Sequence, residues 1–294
     1  MLSHNVSARS ESIAGCIEAC RTRLKAVSQT PWLDARILAS FVTGLDASAV
    51  VAYGDTALRA GKRRLLFALA ERRAAGEPVA YIVGAKDFCG LRLAVDRRVM
   101  VPRPETEALV MAIVEQWRGA APHIVDVGTG SGAIACALAH MLPGSRVVAT
   151  DVSEDALMVA RANVNALGLA ERVRLVRGDL FDGIPEGETF DAMAANLPYI
   201  EDGAADSLDL AVRDEPAIAL YAGCDGLAVY RRMLRAAPAR LASGGALYCE
   251  CGPRNSLGLA KLVKEAFPAA HVSIRKDLAG LERIVSAQLA KPAV

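Results

Sequence analysis

The chain has 294 residues, enough for two domains of ordinary size with a sizeable buried core. Hydrophobic residues make up 53% and charged ones 23%, but apolar runs such as Ile134 to Ala139 fall far short of the ~20 residues that cross a bilayer. A net charge of +1, from 34 basic and 33 acidic residues, gives no broad footprint for gripping a phosphate backbone, so neither a membrane nor direct nucleic-acid contact is expected.

The start, MLSHNVSARSESIAGC, lacks the basic cluster and apolar stretch of a secretory signal, and a cytoplasmic protein is expected. From residue 10 to about 84 the apolar spacing is helical: Ile13, Ile17 and Cys20, then Leu33, Ile37, Leu38 and Phe41, then Leu65, Leu66 and Leu69. Gly44, Gly54 and Gly76 mark stops, which predicts a small helical domain. The charge run RAGKRRLLFALAERR inside it reads as a solvated helix face opposite Leu65, Leu66 and Leu69. Next, Phe88, Leu91, Leu93 and Val95 predict short strands, and Pro102 and Pro104 stop regular structure before a helix near Glu105, giving a hairpin between domains.

From His123 the pattern alternates short β-branched runs with helical stretches: HIVDVG, a helix to Leu142, RVVATD, a helix from Glu154 to Gly168, RVRLVRGD, then FDAMAAN. Such alternation predicts βαβ units and a parallel sheet covered on both faces. A helix near Gly226 to Leu241, a strand ALYCEC, a helix from Ser256 to Phe267 and the strands HVSIRK and ERIVSA follow, with one strand of the last hairpin antiparallel. Seven cysteines show no Cys-x-x-Cys spacing and no paired histidines, so they read as small apolar thiols and no metal site is expected.

Between the first strand of this sheet and its helix lie Gly128, Thr129, Gly130, Ser131 and Gly132, a turn that lets backbone N–H groups approach a ligand at a helix N-terminus. With Ala133 in third place it also fits a dinucleotide fingerprint, so a dehydrogenase and a methyltransferase both remain open here. Asp126, Asp151 and Asp179 are expected at the same edge of successive strands, with Asp151 placed to accept both hydroxyls of a ribose. The fourth strand decides. FDAMAAN delivers Asn196, Leu197, Pro198 and Tyr199 beside the glycine loop, and hydride transfer has no need of that segment. A methyl transfer to a planar nitrogen does. An amide or exocyclic amino nitrogen is a poor nucleophile, so it must be oriented and polarised. The side-chain oxygen of Asn196 and the carbonyl of Leu197 can accept its two N–H groups, Pro198 holds the turn, and Tyr199 can pack on the flat group.

These residues, with DARILASFVTG, GEPVAYIVGAKDFCGL, VPRPETEALV, VDVGTGSGAIA, GDLFDG, VRDEPAIAL and KDLAGLERIV in order, resemble the protein (glutamine-N5) methyltransferases of the HemK type along nearly the whole chain. The resemblance implies an α/β fold: a seven-stranded, Rossmann-like S-adenosylmethionine-dependent methyltransferase sheet with a small N-terminal helical domain and a linking β-hairpin. It implies residues 1–84 as a substrate-docking domain, 85–104 as the hairpin and 105–294 as the catalytic domain. It implies S-adenosyl-L-methionine as cofactor, held by Gly128, Thr129, Gly130, Ser131, Gly132, Asp151, Leu180 beside the adenine, and Asn196 near the methyl. The substrate would be the glutamine of Gly-Gly-Gln in class 1 peptide chain release factors, held by Asn196 to Tyr199, with Asn196, Pro198 and Tyr199 catalytic. The family usually has Asn-Pro-Pro-Tyr, and Leu197 replaces the first Pro. Asn-Leu-Pro-Tyr also resembles ribosomal RNA adenine dimethyltransferases, and the sheet with DFCGL resembles a ribosomal-protein glutamine methyltransferase. The helical domain and VPRPETE favour the release-factor branch. Arg213, Glu215 and Pro216 match a family loop and read equally as a bracing ion pair, Phe88 reads as hairpin core, and Glu250 has no assigned role.

Overall fold

The computed structural model describes residues 11–204, 208–277 and 279–290, in two compact units. The first takes the described residues up to Gly84 together with 208–214. Its helices begin and end where local chemistry dictates. In α1 (Ile13–Leu24) the Ser12 hydroxyl accepts the N–H of Gly15 at 3.1 Å. In α2 (Pro31–Thr43) a proline opens the first turn and Gly44, at φ 78°, closes the last. Asp46 caps α3 (Ala47–Ala52) by accepting two backbone N–H groups. Then come α4 (Ala60–Ala74) and α5 (Val79–Val83), and the short turn Leu210–Arg213 belongs to the same unit.

This unit corrects the expected core. Leu33, Phe41 and Leu65 are exposed, and the inward faces are Ala35, Leu38, Ala39 and Val42 on α2 and Leu66, Leu69 and Ala70 on α4. Apolar residues lie on more than one side of these helices, so periodicity alone could not choose the buried one. Arg73, expected on the solvated face of the charge run, is buried. Its Nε meets Asp34 Oδ2 at 2.7 Å, and the Ser28 hydroxyl donates to the same oxygen at 2.8 Å, so the interior charge is paired and hydrogen-bonded.

The second unit is built on a seven-stranded sheet. A hairpin of β1 (Ala85–Phe88) and β2 (Leu91–Ala94) precedes α6 (Pro104–Gln116). Then β3 (His123–Val127), α7 (Ala133–Met141), β4 (Arg146–Asp151), α8 (Glu154–Ala166), β5 (Val173–Arg177) and β6 (Phe190–Ala195) alternate as expected. The chain continues through α9 (Ala228–Ala236), β7 (Leu241–Glu250), α10 (Ser256–Ala266), β8 (His271–Lys276) and β9 (Glu282–Gln288). The order is β5-β4-β3-β6-β7-β9-β8, with β9 antiparallel to both its neighbours and the other pairings parallel. One core cluster includes Leu109, Ile113, Ile124 and Leu138; another includes Val125, Met193, Tyr230 and Leu247. Alternate residues of β3 thus supply both, as a strand covered on two faces must.

The hairpin is part of this unit's core: Phe88, Leu91 and Leu93 are buried with residues of α6 and α7. Its turn has Cys89 at φ 48° and Gly90 at φ 76°, and the strained Cys89 donates its N–H to Glu107 Oε1 at 3.0 Å. Among the described residues no helix is long and apolar enough to cross a membrane.

Candidate functional site

The strand order reverses at β3. From it the chain goes to β4 on one side, and β6 returns to pair on the other. Such a switch point opens a crevice at the carboxyl ends of the strands, where open α/β sheets hold ligands. The glycine loop leaves β3 here and Asn196 leaves β6, side by side.

The loop is built from backbone. Gly128, Gly130 and Gly132 all have positive φ, at 74°, 56° and 79°. The N–H groups of Gly128 and Thr129 both donate to the carbonyl of Thr150, at 2.9 and 2.8 Å. The Thr129 side chain turns inward and donates to Asp126 Oδ2 at 2.6 Å, and the same oxygen accepts from the N–H of Ala135. Asp126 is therefore buried beneath the loop and braces the start of α7, rather than standing at the rim as expected. Burial pushes its carboxyl up to about 7. Ser131 is also buried, and its carbonyl accepts from Asn163 of α8, whose amide spans β2 as well, bonding both the N–H and the carbonyl of Ala94.

Asp151 does lie at the rim. Its Oδ2 accepts from Gly130 at 2.8 Å and its Oδ1 from Ser153 at 2.9 Å, and the N–H of Val152 also bears on the carboxyl, which leaves the carboxylate spare lone-pair capacity. Burial raises this carboxyl too, and those backbone donors oppose the rise. Asp179, two residues beyond β5, is instead paired with Arg232 of α9. Leu180 follows it at φ 59°, a left-handed backbone that costs a leucine energy and fixes its side chain half-buried against the second core cluster. Val152, after Asp151, is exposed.

Asn196 to Tyr199 are held from a distance. Asn196 Nδ2 donates to Thr106 Oγ1 of α6 at 3.1 Å. The N–H of Leu197 donates to the Tyr230 hydroxyl at 3.2 Å, and that buried phenol is in turn set against the carbonyls of Ala195 and Glu250. Tyr199 donates its hydroxyl to Glu250 Oε1 at 3.4 Å, and its carbonyl accepts from Asn255 Nδ2 at 2.9 Å. Leu197 closes the gap to the loop: a Cβ placed on Gly128 would lie 2.8 Å from Leu197 Cδ2. The glycine at 128 is thus required both for its φ and for the leucine above it.

No sequence pattern marks Thr106, Tyr230 or Asn163, and none gives Glu250 a role. Thr106 lies within VPRPETE, and its neighbours there share the work: Arg103 pairs with the buried Glu215 at 2.7 Å, and Glu107 holds the hairpin turn. The pairing of Arg103 supports the bracing reading of Glu215 over substrate contact.

Residues 16–84 match the family described as the PrmC N-terminal domain, and residues 124–213 match the methyltransferase domain. The chain is 40% identical over 270 residues to a release factor glutamine methyltransferase of Rhodopirellula baltica, spanning 90% of this chain and 91% of that one. It is 40% identical over 262 residues to the enzyme of the same name from Deinococcus radiodurans, spanning 89% and 92%. A solved T. thermophilus 16S rRNA N2 G1207 methyltransferase, in complex with AdoMet and guanosine, shares the fold at a TM-score of 0.50 and 21% identity, over 70% of this chain and 49% of that one.

Proposed function

The chain belongs to the release factor glutamine methyltransferases, and from that premise we propose that it methylates the side-chain amide nitrogen of the glutamine in the Gly-Gly-Gln segment of class 1 peptide chain release factors, with S-adenosyl-L-methionine as donor. The observation that carries this reading is the contact of the two halves of the crevice: Leu197, in the segment suited to hold an amide, packs on Gly128 of the nucleotide-type loop. Donor and acceptor sites are adjacent by construction.

The residues present fit the cofactor. Asp151 offers free lone pairs for ribose hydroxyls, the space in front of Gly130 is open, and exposed Val152 with half-buried Leu180 offers apolar surface for a base on neighbouring strand ends. When bound, S-adenosylmethionine supplies an electrophilic methyl on a sulfonium. Asn196 Oδ1 and the Leu197 carbonyl accept the two N–H groups of the glutamine amide, which points its nitrogen along one direction and increases its electron density. Pro198 restricts the backbone between them, and Tyr199 covers the amide plane. Loss of one N–H proton with or after methyl transfer leaves a neutral amide, so no strong base is required.

A concavity of about 280 Å³ lined by Tyr199, Ile200, Gly252, Pro253 and Asn255 gives a protein loop a way to this segment. On the helical unit, Trp32, Leu33, Phe41, Val51, Tyr53 and Leu65 are exposed, which supports reading residues 1–84 as the part that docks the release factor. Residues 85–104 then form the linking segment, with its hairpin at 85–94, and 105–294 the catalytic part, apart from 208–214, which belong to the helical unit. The test is to incubate the protein with S-adenosylmethionine and a purified release factor and to map the mass gain of one methylene by tandem mass spectrometry. The gain is expected on the Gly-Gly-Gln glutamine; label confined to RNA or to a ribosomal protein would overturn the proposal.

A further inference from the structure

Glu250 ends β7 one residue beyond Cys249, which pairs with Ala195, so its carboxyl lies level with Asn196 on the neighbouring strand. It is only 1% exposed, and nothing in the transfer just described uses it. A carboxyl buried at the end of a central strand, beneath the segment that holds the substrate amide, needs a reason.

Its surroundings supply one. Tyr199 donates to its Oε1, while Oε2 makes no hydrogen bond of ordinary geometry. The Thr106 hydroxyl also bears on this carboxyl, and it already accepts from Asn196 Nδ2 at 3.1 Å. A hydroxyl that accepts from an amide has its single proton left to donate, and the Glu250 carboxyl is the acceptor set for it. The amide's two ends point apart, so fixing Nδ2 on Thr106 turns Oδ1 away from Thr106 and keeps it as the end offered to the glutamine N–H in the proposed transfer. Without that tether the Asn196 amide is free to flip and present a donor to a donor.

We propose that Glu250 is a positioning residue for the methyl transfer: through Thr106 it sets which end of the Asn196 amide faces the substrate, and directly it holds the Tyr199 phenol. This rests on the reading of Asn196 to Tyr199 as the amide-holding segment. The arrangement also makes the rate depend on pH. Burial pushes the Glu250 carboxyl up to about 7. The charged and titratable groups facing it are Glu105 at the start of α6, which raises it further, Arg283 on β9, which lowers it, Tyr199, Tyr230 on α9, and the neighbouring thiol of Cys251; Arg103 acts on the Tyr199 phenol beside it. As a carboxylate Glu250 can accept from both hydroxyls. Once protonated it is a weaker acceptor for the Thr106 hydroxyl, which is then held less firmly, and the Asn196 tether loosens. Methyl transfer should therefore rise as pH increases through about 7.

The experiment is single-turnover methylation of a purified release factor, at saturating S-adenosylmethionine and across pH, by the wild type, Glu250→Gln, Thr106→Val and Thr106→Ser. Glu250→Gln should lower the rate about tenfold, leave cofactor affinity and KM within about twofold, and abolish the rise near neutral pH. Thr106→Val should show a comparable loss, and Thr106→Ser should recover most of it. A pH profile of Glu250→Gln that superimposes on the wild type, or Thr106→Val as fast as Thr106→Ser, would overturn the proposal. Should Glu250→Gln not fold, the two Thr106 variants decide on the same rates. An Asn196→Ala variant run alongside separates the two levels: if it keeps full rate, the reading of the tetrapeptide fails, whereas its loss together with an unaffected Thr106→Val defeats only the role of Glu250.

Discussion

The glycine loop after β3 is braced by its own neighbourhood, whereas Asn196 to Tyr199 are braced from four remote places. Of the bonds that shape the loop's backbone, all but one run to partners between Asp126 and Asp151, the exception being that from Asn163 of α8 to the Ser131 carbonyl. The bonds that shape the tetrapeptide run to Thr106, Tyr230, Glu250 and Asn255, on α6, α9, the end of β7 and the turn before α10. A site of the first kind presents backbone N–H groups and is set once βαβ forms. A site of the second kind presents side-chain and carbonyl acceptors whose direction depends on the whole unit being packed. Cofactor binding and amide orientation should therefore separate under mutation.

The largest expected separation is at Asn196. Asn196→Ala removes one preorganised acceptor, which typically costs about 3 kcal/mol, or about a hundredfold in turnover. Because the loop does not depend on Asn196, affinity for S-adenosylmethionine by calorimetry should change by less than about threefold. A parallel loss of both would erase the distinction between the two regions.

Asp151 should show the reverse. Asp151→Ala removes the acceptor for Gly130 and Ser153 as well as for ribose hydroxyls, and should weaken cofactor binding by about 2 kcal/mol, with little change in single-turnover rate once the cofactor saturates. Unchanged affinity in a folded variant would make the acid purely a brace of the loop.

The same contrast explains what could be read from the sequence. Glycines at 128, 130 and 132 carry their geometry in their own chemistry, so the loop and its following helix were legible, as were the alternation of strands and helices and the antiparallel last hairpin. Of the acids expected at the rim, Asp151 was legible and Asp126 was not. Asp126 is an inner residue of β3, and burial rather than exposure follows from the strand's own alternation and the cover on both faces. The supports of Asn196 to Tyr199 were not legible because no local pattern links residues 106, 230 and 250 to that segment; only the folded sheet and its covering helices bring them together. In the helical unit, Leu33, Phe41 and Leu65 fit the helical period as well as the true core, and the Asp34–Arg73 pair that selects the buried faces joins two helices no local pattern connects.

Folding should carry a pH signature from the loop's foundation. Asp126 is raised to about 7 in the folded chain against about 4 in an unfolded one, so the folded state binds the extra proton in that interval. Its contribution to stability is fully present below about pH 4 and is lost as pH rises toward 7. Glu250, also raised to about 7, adds in the same direction. Urea unfolding at several pH values should show stability falling from pH 5 to 7, by at most about 1.4 kcal/mol per unit for each group. Asp126→Asn should remove one group's share of that slope. An unchanged slope would place a charged carboxylate beneath the loop.

The finest test is Leu197, where the two regions touch. In the family this chain resembles the residue is usually proline, and a proline keeps the carbonyl proposed to accept the substrate N–H, which on the sequence alone argues for near-normal turnover. The structure adds two costs. The Leu197 N–H donates to the Tyr230 hydroxyl, and a proline has none to donate. The leucine side chain, 4% exposed, covers Gly128, and a ring of fewer carbons leaves part of that contact empty. Set against them is the entropy a proline removes from the unfolded chain. The Tyr230 proton still has the carbonyls of Ala195 and Glu250, so only an acceptor lone pair is orphaned, and the net loss should be no more than about 1 kcal/mol. Turnover should fall a few-fold at most. The decisive measurement is a double-mutant cycle: Tyr230→Phe should cost about 1 kcal/mol more with Leu197 than with Leu197→Pro, because the hydrogen bond exists in only one background. Additive costs would mean the bond contributes nothing. A Leu197→Pro enzyme as slow as Asn196→Ala, while folded, would mean the leucine side chain and not its carbonyl does the positioning.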